Sequence, residues 1–213
     1  HAFFLNGASG KIGLGTSSTD ADLHIEPKTG NTNASLLLSN SGRTQYFRIE
    51  NNESNDTLRF NANDTTQVMN IDSTGAVTKP LQPSFLVNPS SNQENLAIGT
   101  STNVTIVYGN ERYDVGSNFA SNTFTAPVTG KYMLFSQLFL LNVDKAQTYI
   151  QHFLKTSNLT YSNVVSNNQM FAADIDYMTL NQSVVTDMDA NDTAFVQINM
   201  TGGTQQMDVR TDS

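Results

Sequence analysis

Aspartates that could act together are concentrated in the last third of the chain. Asp174 with Asp176 and Asp187 with Asp189 are spaced i, i+2, and Asp192 follows the second pair. On a strand, such pairs project from one face about 6 to 7 Å apart, a separation that overlaps that of glycosidase carboxyl groups. Nothing apolar surrounds these residues to raise a carboxyl pKa, so we predict no catalytic residue and no enzymatic activity.

A calcium site is the alternative role for the later aspartates. Hard cations bind several oxygens that are grouped in a loop, and Asp187, Asp189 and Asp192 are grouped in this way. Aspartates beside turns are common in strand-rich chains, however. We therefore predict no metal and no other cofactor, with calcium at these three residues as the alternative.

The remaining reactive side chains do not form a recognisable site. His1, His24 and His152 are scattered, and His152 lies between Ile150 and Leu154 in a predicted strand, which favours a structural role. No serine has the neighbours of an activated nucleophile. The chain has no cysteine, which excludes disulfides and thiolate metal sites.

Charge and composition exclude two classes of partner and indicate the fold class. The net charge is −8 and only 11 Lys and Arg residues are spread over 213 positions, so we predict no nucleic-acid partner. No apolar run reaches the roughly 18 residues of a membrane helix, so we predict no membrane insertion. Asn, Ser and Thr are abundant, as is typical of short strands joined by turns, and we predict an all-β fold.

The strand that organises the chain follows a turn at Pro127 and Gly130. Within residues 132–141 only Ser136 and Gln137 are polar. A strand with one face in water alternates apolar and polar residues. A run that is apolar at both odd and even positions therefore indicates burial on both sides. We predict that one side packs against the core of the domain and that the other packs against a neighbouring copy of the chain. The alternative is a strand that is covered on both sides within one chain. The predicted trimer-interface residues are Tyr132, Met133, Leu134, Phe135, Leu138 and Phe139.

The aromatic residues around this turn carry a resemblance to a known family. The sequence F-x(4)-F-T-A-P-V-T-G-K-Y-M-L-F-S, preceded by Tyr113, Asp114 and Gly116, resembles the signature of the complement component one-q globular head in the tumour necrosis factor-like superfamily. The resemblance covers the chain from about Gln82 onward. It implies an antiparallel jelly-roll sandwich that assembles as a homotrimer and forms a binding head on an elongated stem. The fold motif consists of Phe119, Phe124, Pro127, Gly130 and Tyr132.

A short repeat runs through the first eighty residues. Apolar pairs at i, i+2 recur there, and their first members are separated by 11, 13, 11, 11 and 11 residues. An i, i+2 pair is one face of a minimal strand, so the near-constant step predicts one repeated structural unit. The pairs are Ile12/Leu14, Leu23/Ile25, Leu36/Leu38, Phe47/Ile49, Leu58/Phe60 and Met69/Ile71.

Two inward residues in each step make a thin core for a single chain. A domain of about 80 residues buries little more than about 60% of its unfolded surface even when it is well filled. Three chains around an axis would pool these pairs, so we predict a repetitive trimeric β stem over residues 1–80. The alternative is a small meander packed against the second domain. Pro80 and Pro83 mark the joint, and residues 81–213 form the predicted head.

Segments of the predicted stem resemble a second group of proteins. Residues 10–16 followed by 23–25, and later residues 68–77, resemble elements that are frequent in bacteriophage tail-fibre proteins. The glycines of the first segment are not a dinucleotide fingerprint, because no amphipathic helix follows them.

The fibre resemblance implies a location and a role. It implies an extracellular virion fibre whose head attaches the particle to a host cell-surface glycan or protein, with other virion proteins as further partners. Alternatives are a purely structural trimerisation or connector segment, and a bacterial surface adhesin or spore-coat protein with the same head.

A polar segment of the head, residues 156–169, is the predicted receptor-binding loop. Its Asn and Ser residues suit hydrogen bonding to a sugar beside one aromatic platform, and a solvated linker between strands is the alternative. The residues predicted to contact a receptor are Tyr161, Asn163, Asn167 and Asn168.

Both ends of the chain are expected to be cut from a longer protein. The first residue is His1 rather than Met, and the family usually has a final apolar strand after the position of residues 211–213. We therefore expect the head to be truncated before its last strand.

Overall fold

The computed structural model describes residues 3–8, 10–27, 33–42, 44–63, 66–97, 102–166, 170–203 and 206–213. Of the residues singled out above, His1, Asn167 and Asn168 lie outside this part of the chain. The chain divides into two compact units, His1–Gln82 and Pro83–Ser213, which we call unit 1 and unit 2. That these units are a stem and a head stays a prediction.

Unit 1 forms two sheets from short strands. In its described residues the elements are β1 (Phe4–Leu5), β2 (Ile12–Leu14), β3 (Leu23–Ile25), β4 (Asn33–Ser39), β5 (Tyr46–Asn52), the 3-10 turn η1 (Glu53–Asn55), β6 (Thr57–Ala62), β7 (Thr66–Ile71) and β8 (Val77–Thr78). β1, β2 and β3 form one sheet, in which β2 and β3 are parallel. β4 to β8 form a five-stranded antiparallel meander.

The apolar pairs of the repeat all lie in these strands, one pair in each strand from β2 to β7. The step of 11 residues is therefore one strand and its turn. Strands therefore occur at the predicted positions in both sheets, although they pair in parallel in β2–β3 and antiparallel in the meander. That they repeat one structural unit of a stem stays a prediction.

Unit 2 contains longer strands. They are β9 (Ser84–Asn88), β10 (Gln93–Ala97), β11 (Val104–Thr105), β12 (Asn110–Val115), β13 (Phe119–Ala120), β14 (Thr123–Thr125), β15 (Gly130–Leu141), β16 (Gln147–Thr156), β17 (Thr160–Ser166), β18 (Met178–Met188), β19 (Thr193–Gly202) and β20 (Gln206–Val209).

Two antiparallel sheets build unit 2. One has the order β10-β20-β15-β18, the other has the order β13-β14-β19-β16-β17 with β11 beside β19, and β9 pairs with β12. From β14 onward, each strand lies in the other sheet from the strand before it, except within the β16–β17 hairpin. This crossing pattern is the connectivity of a jelly roll. The all-β class is confirmed. In the described residues helix is limited to η1, and none is long and apolar enough to cross a membrane.

The core of unit 2 lies between its two sheets. Leu138 and Leu140 of β15 are fully buried against Ile198 and Met200 of β19 in the larger cluster. Each such side chain contributes about 1.5 to 3 kcal/mol through removal from water. A smaller cluster forms around Phe124.

The aromatic motif builds this smaller cluster. Phe119 and Phe124 are opposite each other in β13 and β14, and Phe85 stacks on both rings at centroid distances of 5.1 and 4.9 Å. The ring of Tyr132 lies 5.5 Å from that of Phe124, and its hydroxyl donates to the Val128 carbonyl at 2.6 Å. The aromatic members of the motif therefore fix the turn that leads into β15.

The turns beside the motif depend on residues with special backbone roles. Pro127 lies in the turn, and Gly130 is the first residue of β15. The Asp114 carboxylate accepts a hydrogen bond from the Phe119 N–H at 2.8 Å. Gly116 has a φ of +94°, in the left-handed region that glycine adopts without a steric penalty.

The short strand β20 was not predicted from the sequence. Buried Met207 and Val209 alternate there with polar Gln206 and Asp208, and the strand lies between β10 and β15. The expectation of a missing closing strand concerns the chain after residue 213 and stays a prediction.

Candidate functional site

The side chains of β15 alternate between the core and solvent. Leu134 and Leu138 are buried in unit 2, and Tyr132 packs partly buried against the same core. Met133 and Phe135 point the other way and are 76% and 65% exposed. This corrects the interface prediction for Tyr132, Leu134 and Leu138, which pack within their own chain because β15 is one layer of a sandwich. Only the side of β15 that carries Met133 and Phe135 is open to a partner.

An apolar face is left uncovered where β15 and β18 lie side by side. Met133 is directly opposite Val185, which is 67% exposed, and residues that face each other across strands share one side of a sheet. The Phe139 ring is half-buried, 5.9 Å from the Tyr177 ring. We call the surface formed by Met133, Phe135, Phe139, Tyr177 and Val185 the β15 face.

Unit 1 carries a larger apolar face on its meander. Leu36, Ile49 and Phe60 are successive partners across β4, β5 and β6, and Leu38 is opposite Phe47. The apolar pairs of four strands therefore combine on one side, where Leu38 and Phe47 are 57% and 60% exposed. We call this surface the β4–β8 face, and its members are Leu36, Leu38, Phe47, Ile49, Leu58, Phe60, Met69, Ile71 and Val77.

The opposite side of the meander is polar and partly buried. The buried Glu50 carboxylate accepts hydrogen bonds from Arg48 at 2.9 Å and from the Asn33 amide at 3.1 Å, and Asn61 is buried on the same side. No apolar side chain in the described part of unit 1 is buried. A self-sufficient antiparallel sheet covers its apolar side and exposes its polar one. The burial here is reversed, because the apolar β4–β8 face is the more exposed side of the meander.

Two of the three aspartates considered for calcium have carboxylates that are engaged by their neighbours. The Asp187 carboxylate accepts from Lys131 Nζ at 2.7 Å. The Asp192 carboxylate accepts from the Asn158 amide at 2.6 Å and from the Asp189 N–H at 2.8 Å, which closes the turn before β19. In the residues that the structure describes, no group of three or more His, Cys, Asp or Glu is arranged to hold a metal ion.

The earlier aspartate pair does not lie on a regular strand. The Asp174 carboxylate accepts from the Lys145 N–H at 3.0 Å, and Asp176 is exposed. Between them Ile175 makes one isolated bridge to Val143. The strand geometry that would hold two carboxyl groups on one face is therefore not found at this pair.

A polar cluster lies inside the core of unit 2. Ser136 Oγ is 2.9 Å from His152 Nε2, and the Tyr108 hydroxyl also bonds to Ser136. His152 is fully buried, and its Nδ1 has no hydrogen-bond partner in the described chain. A catalytic base needs contact with substrate and usually a third group that orients it. No group that would orient His152 through Nδ1 is found in the described part of the chain. Burial raises the pKa of Tyr108 to about 12.

The buried histidine predicts a loss of stability in mild acid. Burial lowers the pKa of His152 from 6.5 to about 4, so the unfolded chain takes up a proton at a higher pH than the folded one. The contribution of neutral His152 to stability is complete above about pH 6.5 and is lost as the pH falls toward 4. The free energy of unfolding decreases by about 3 kcal/mol over this range. Urea denaturation at pH 7 and pH 4.5 measures the loss, and His152→Gln should reduce it. Equal losses in both proteins would contradict this role.

The segment predicted as a receptor-binding loop is a strand over residues 160–166, which pair with β16. The Tyr161 hydroxyl bonds to Thr186 Oγ1 at 2.9 Å, and its ring packs against the smaller core cluster. The Asn163 amide donates to the Asn181 carbonyl at 3.2 Å. The loop and linker interpretations are both wrong here, because side chains two apart on β17 turn toward the sandwich instead of solvent.

The strand order and these surfaces define an all-β chain with a jelly-roll unit and two uncovered apolar faces. Among solved structures, the globular domain of zebrafish complement 1qA protein is similar over 60% of this chain and 92% of its own, at 13% identity and a TM-score of 0.42. Murine APRIL is similar over 60% of this chain and 98% of its own, at 12% identity and a TM-score of 0.40.

A third similar structure is an exo-β-1,3-galactanase from Phanerochaete chrysosporium with galactose. It is similar over 84% of this chain and 68% of its own, at 9% identity and a TM-score of 0.20. The sequence matches no family model and no curated protein. TM-scores this low carry no argument about function, and the jelly-roll assignment stands on the strand order of unit 2.

Proposed function

We propose that the protein is a non-enzymatic component of a virion fibre that assembles as a homotrimer. Unit 1 serves as the stem, and unit 2 serves as the head that attaches to a host cell-surface glycan or protein. The observation that carries this proposal is the reversed burial of the meander, in which the described part of unit 1 has no buried apolar side chain. A unit of this size without a core of its own depends on a partner for stability.

Copies of the same chain are the cover that the composition of the β4–β8 face favours. The chain carries a net charge of −8, so two copies repel each other wherever their charges meet. All nine members of the face are uncharged, so copies can approach there without that cost. Five strands at about 4.8 Å spacing present a surface about 20 Å wide, and contact at the β15 face adds to it.

The number of copies and the placement in a virion rest on the sequence resemblances. A trimer would pool three β4–β8 faces around one axis and present three heads side by side. Attachment that is weak at each head is strengthened when three heads bind together, since the later contacts become intramolecular.

Two measurements test the proposal. Sedimentation of the purified chain at micromolar concentration should give one species of three times the subunit mass, and a stable monomer would overturn it. Binding to glycan arrays and to whole bacterial cells should be detectable for the assembled protein and should weaken strongly for a dissociated variant.

A purely structural connector is the second candidate function. It is favoured by the position of Tyr161, whose ring packs against the core and is not presented as a platform for a sugar. A connector would assemble in the same way but would bind neither glycans nor cells. The binding measurement therefore separates the two candidates, while the sedimentation measurement tests the assembly that both require.

A further inference from the structure

The six-stranded sheet of unit 2 contains no acidic residue in its strands. The chain has 19 Asp and Glu residues, yet none lies in β11, β13, β14, β16, β17 or β19. The only Lys or Arg in these strands is Lys155 of β16. The sheet therefore carries one cation that no carboxylate of its own strands accompanies.

Two rows of side chains cross the outer surface of this sheet. Leu154 of β16 is buried in a core cluster, so its neighbours Phe153 and Lys155 point outward. Each row joins a hydroxyl of β17, a residue of β16 and a residue of β19. Cβ atoms of facing residues are about 5 Å apart, so two rows cover about the area of one sugar ring. We call the two rows the outer site, and its members are Ser162, Phe153 and Gln197 in one row and Thr160, Lys155 and Phe195 in the other.

The Lys155 amine is held over an aromatic ring and has no counter-ion. Its Nζ lies 5.1 Å from the centroid of the Phe153 ring. In the part of the chain that the structure describes, no carboxylate lies within ion-pair distance of this amine. Contact with a ring orients a cation without neutralising it, so Lys155 is positioned to bind an anion.

The amide of Gln197 has one atom that is bonded and one that is not. Its Nε2 donates to Thr105 Oγ1 at 3.0 Å, whereas its buried Oε1 has no hydrogen-bond partner among the described residues. A buried acceptor without a partner is unfavourable, and a hydroxyl from a ligand is the kind of donor that it lacks. Gln197 is opposite Phe153, so this acceptor lies in the row over which the Lys155 amine is held.

The outer site and the β15 face lie on opposite sides of unit 2. β15 belongs to one sheet of the sandwich and the outer site to the other, and two packed sheets turn their outer surfaces away from each other. Thr160 and Ser162 are exposed. Contact between copies through the β15 face therefore leaves the outer site open.

We propose that the outer site binds an acidic sugar residue of a glycan. The carboxylate would pair with Lys155, and ring hydroxyls would bond to Ser162 and Gln197. The half-buried Phe195 ring offers an apolar surface to the carbons of the sugar. A single cation does not fit a nucleic acid, which needs clustered Lys and Arg. The inference rests on the proposed function, because it assigns the attachment of unit 2 to this sheet and to this class of sugar.

D-Glucuronate and D-glucose are matched probes, because a carboxylate replaces one hydroxymethyl group. Each is titrated into the full chain at constant ionic strength, and main-chain amide shifts are followed by NMR. We expect saturable shifts at Phe153, Lys155 and Gln197 with glucuronate, and binding of glucose that is weaker by about tenfold or more.

Substitution of Lys155 tests its assigned role. Lys155→Gln should weaken glucuronate binding by about tenfold or more, whereas Lys155→Arg should keep it within about threefold because the charge is retained. Lys131→Gln is the matched control, since it removes an exposed lysine of β15 that already pairs with Asp187, and it should leave binding unchanged.

Each result decides the proposal. Glucuronate that gives no saturable shifts overturns it, and so does equal binding of the two sugars or equal weakening by both Lys→Gln variants. Cell binding that persists in Lys155→Gln would place the attachment elsewhere and leave the proposed function standing. The titration does not require assembly, so a stable monomer that binds glucuronate would overturn the proposed function and support this site.

Discussion

Phe135→Glu should dissociate the assembled protein. Phe135 is the central exposed residue of the β15 face, and contact between copies would bury the new carboxylate without a partner in each of them. An unpaired buried charge costs about 3 kcal/mol or more, which corresponds to at least about a 100-fold rise in the concentration needed for assembly. Sedimentation velocity of the variant at micromolar concentration is expected to give monomers. Circular dichroism should retain the β signal of unit 2, whereas that of unit 1 should fall because its partner is lost.

Val164→Glu is the matched control for this substitution. Val164 is an exposed apolar residue on β17, in the other sheet of unit 2, so the same change adds the same charge away from the β15 face. Its oligomeric state should equal that of the parent. If both variants dissociate, the added net charge causes the effect. If neither dissociates, the β15 face is not part of the contact between copies.

Leu38→Glu should destabilise unit 1, whereas Leu37→Glu should not. The two residues are neighbours on β4 but lie on opposite sides of the meander. A carboxylate at position 38 would enter the β4–β8 face, opposite Phe47 and beside Leu36 and Ile49. A carboxylate at position 37 would lie opposite Arg48, which favours it electrostatically.

Hydrogen exchange at the β5 and β6 amides measures this difference. We expect exchange at least tenfold faster in Leu38→Glu and within about twofold of the parent in Leu37→Glu. Equal exchange in the two variants would mean that the β4–β8 face is not covered in solution. The β15 face is untouched in both variants, so their sedimentation tests whether unit 2 alone holds the copies together.

The repeat in unit 1 was predictable because it is local. Each apolar pair needs only its own strand to share a face, and the constant step sets the length of strand plus turn. The sequence could not tell that β2 and β3 pair in parallel while β4 to β8 pair antiparallel. That difference depends on the turns, and residues 28–32 between the two sheets lie outside the described part of the chain.

The organising strand β15 shows why composition alone misassigned the interface. Residues 132–141 are apolar in both odd and even positions, which predicts burial on both sides. In the structure one side is buried, and Met133 and Phe135 on the other side are exposed. The pattern does not show which parity faces the chain's own core. Only pairing with β18 and packing against β19 place Leu138 inside and Phe135 outside.

Short or polar strands were the other failure. β17 contains Asn and Ser, a composition that favours a loop, but its pairing with the long strand β16 determines its conformation. β20 has four residues, too few for alternation to be distinguished from chance. At the turn before β19, Asn191 has a φ of +76°, in the left-handed region that Asn tolerates better than most residues.

The strand order of the two units also determines when each one can form during synthesis. Every strand of the unit 1 meander pairs with its sequence neighbour, so the meander can assemble as residues leave the ribosome. In unit 2, Gln93 of β10 pairs with Val209 of β20. Until Val209 has emerged, the nascent chain keeps β10 and one edge of β15 without partners, and neighbouring ribosomes on one message hold other copies with the same open edges.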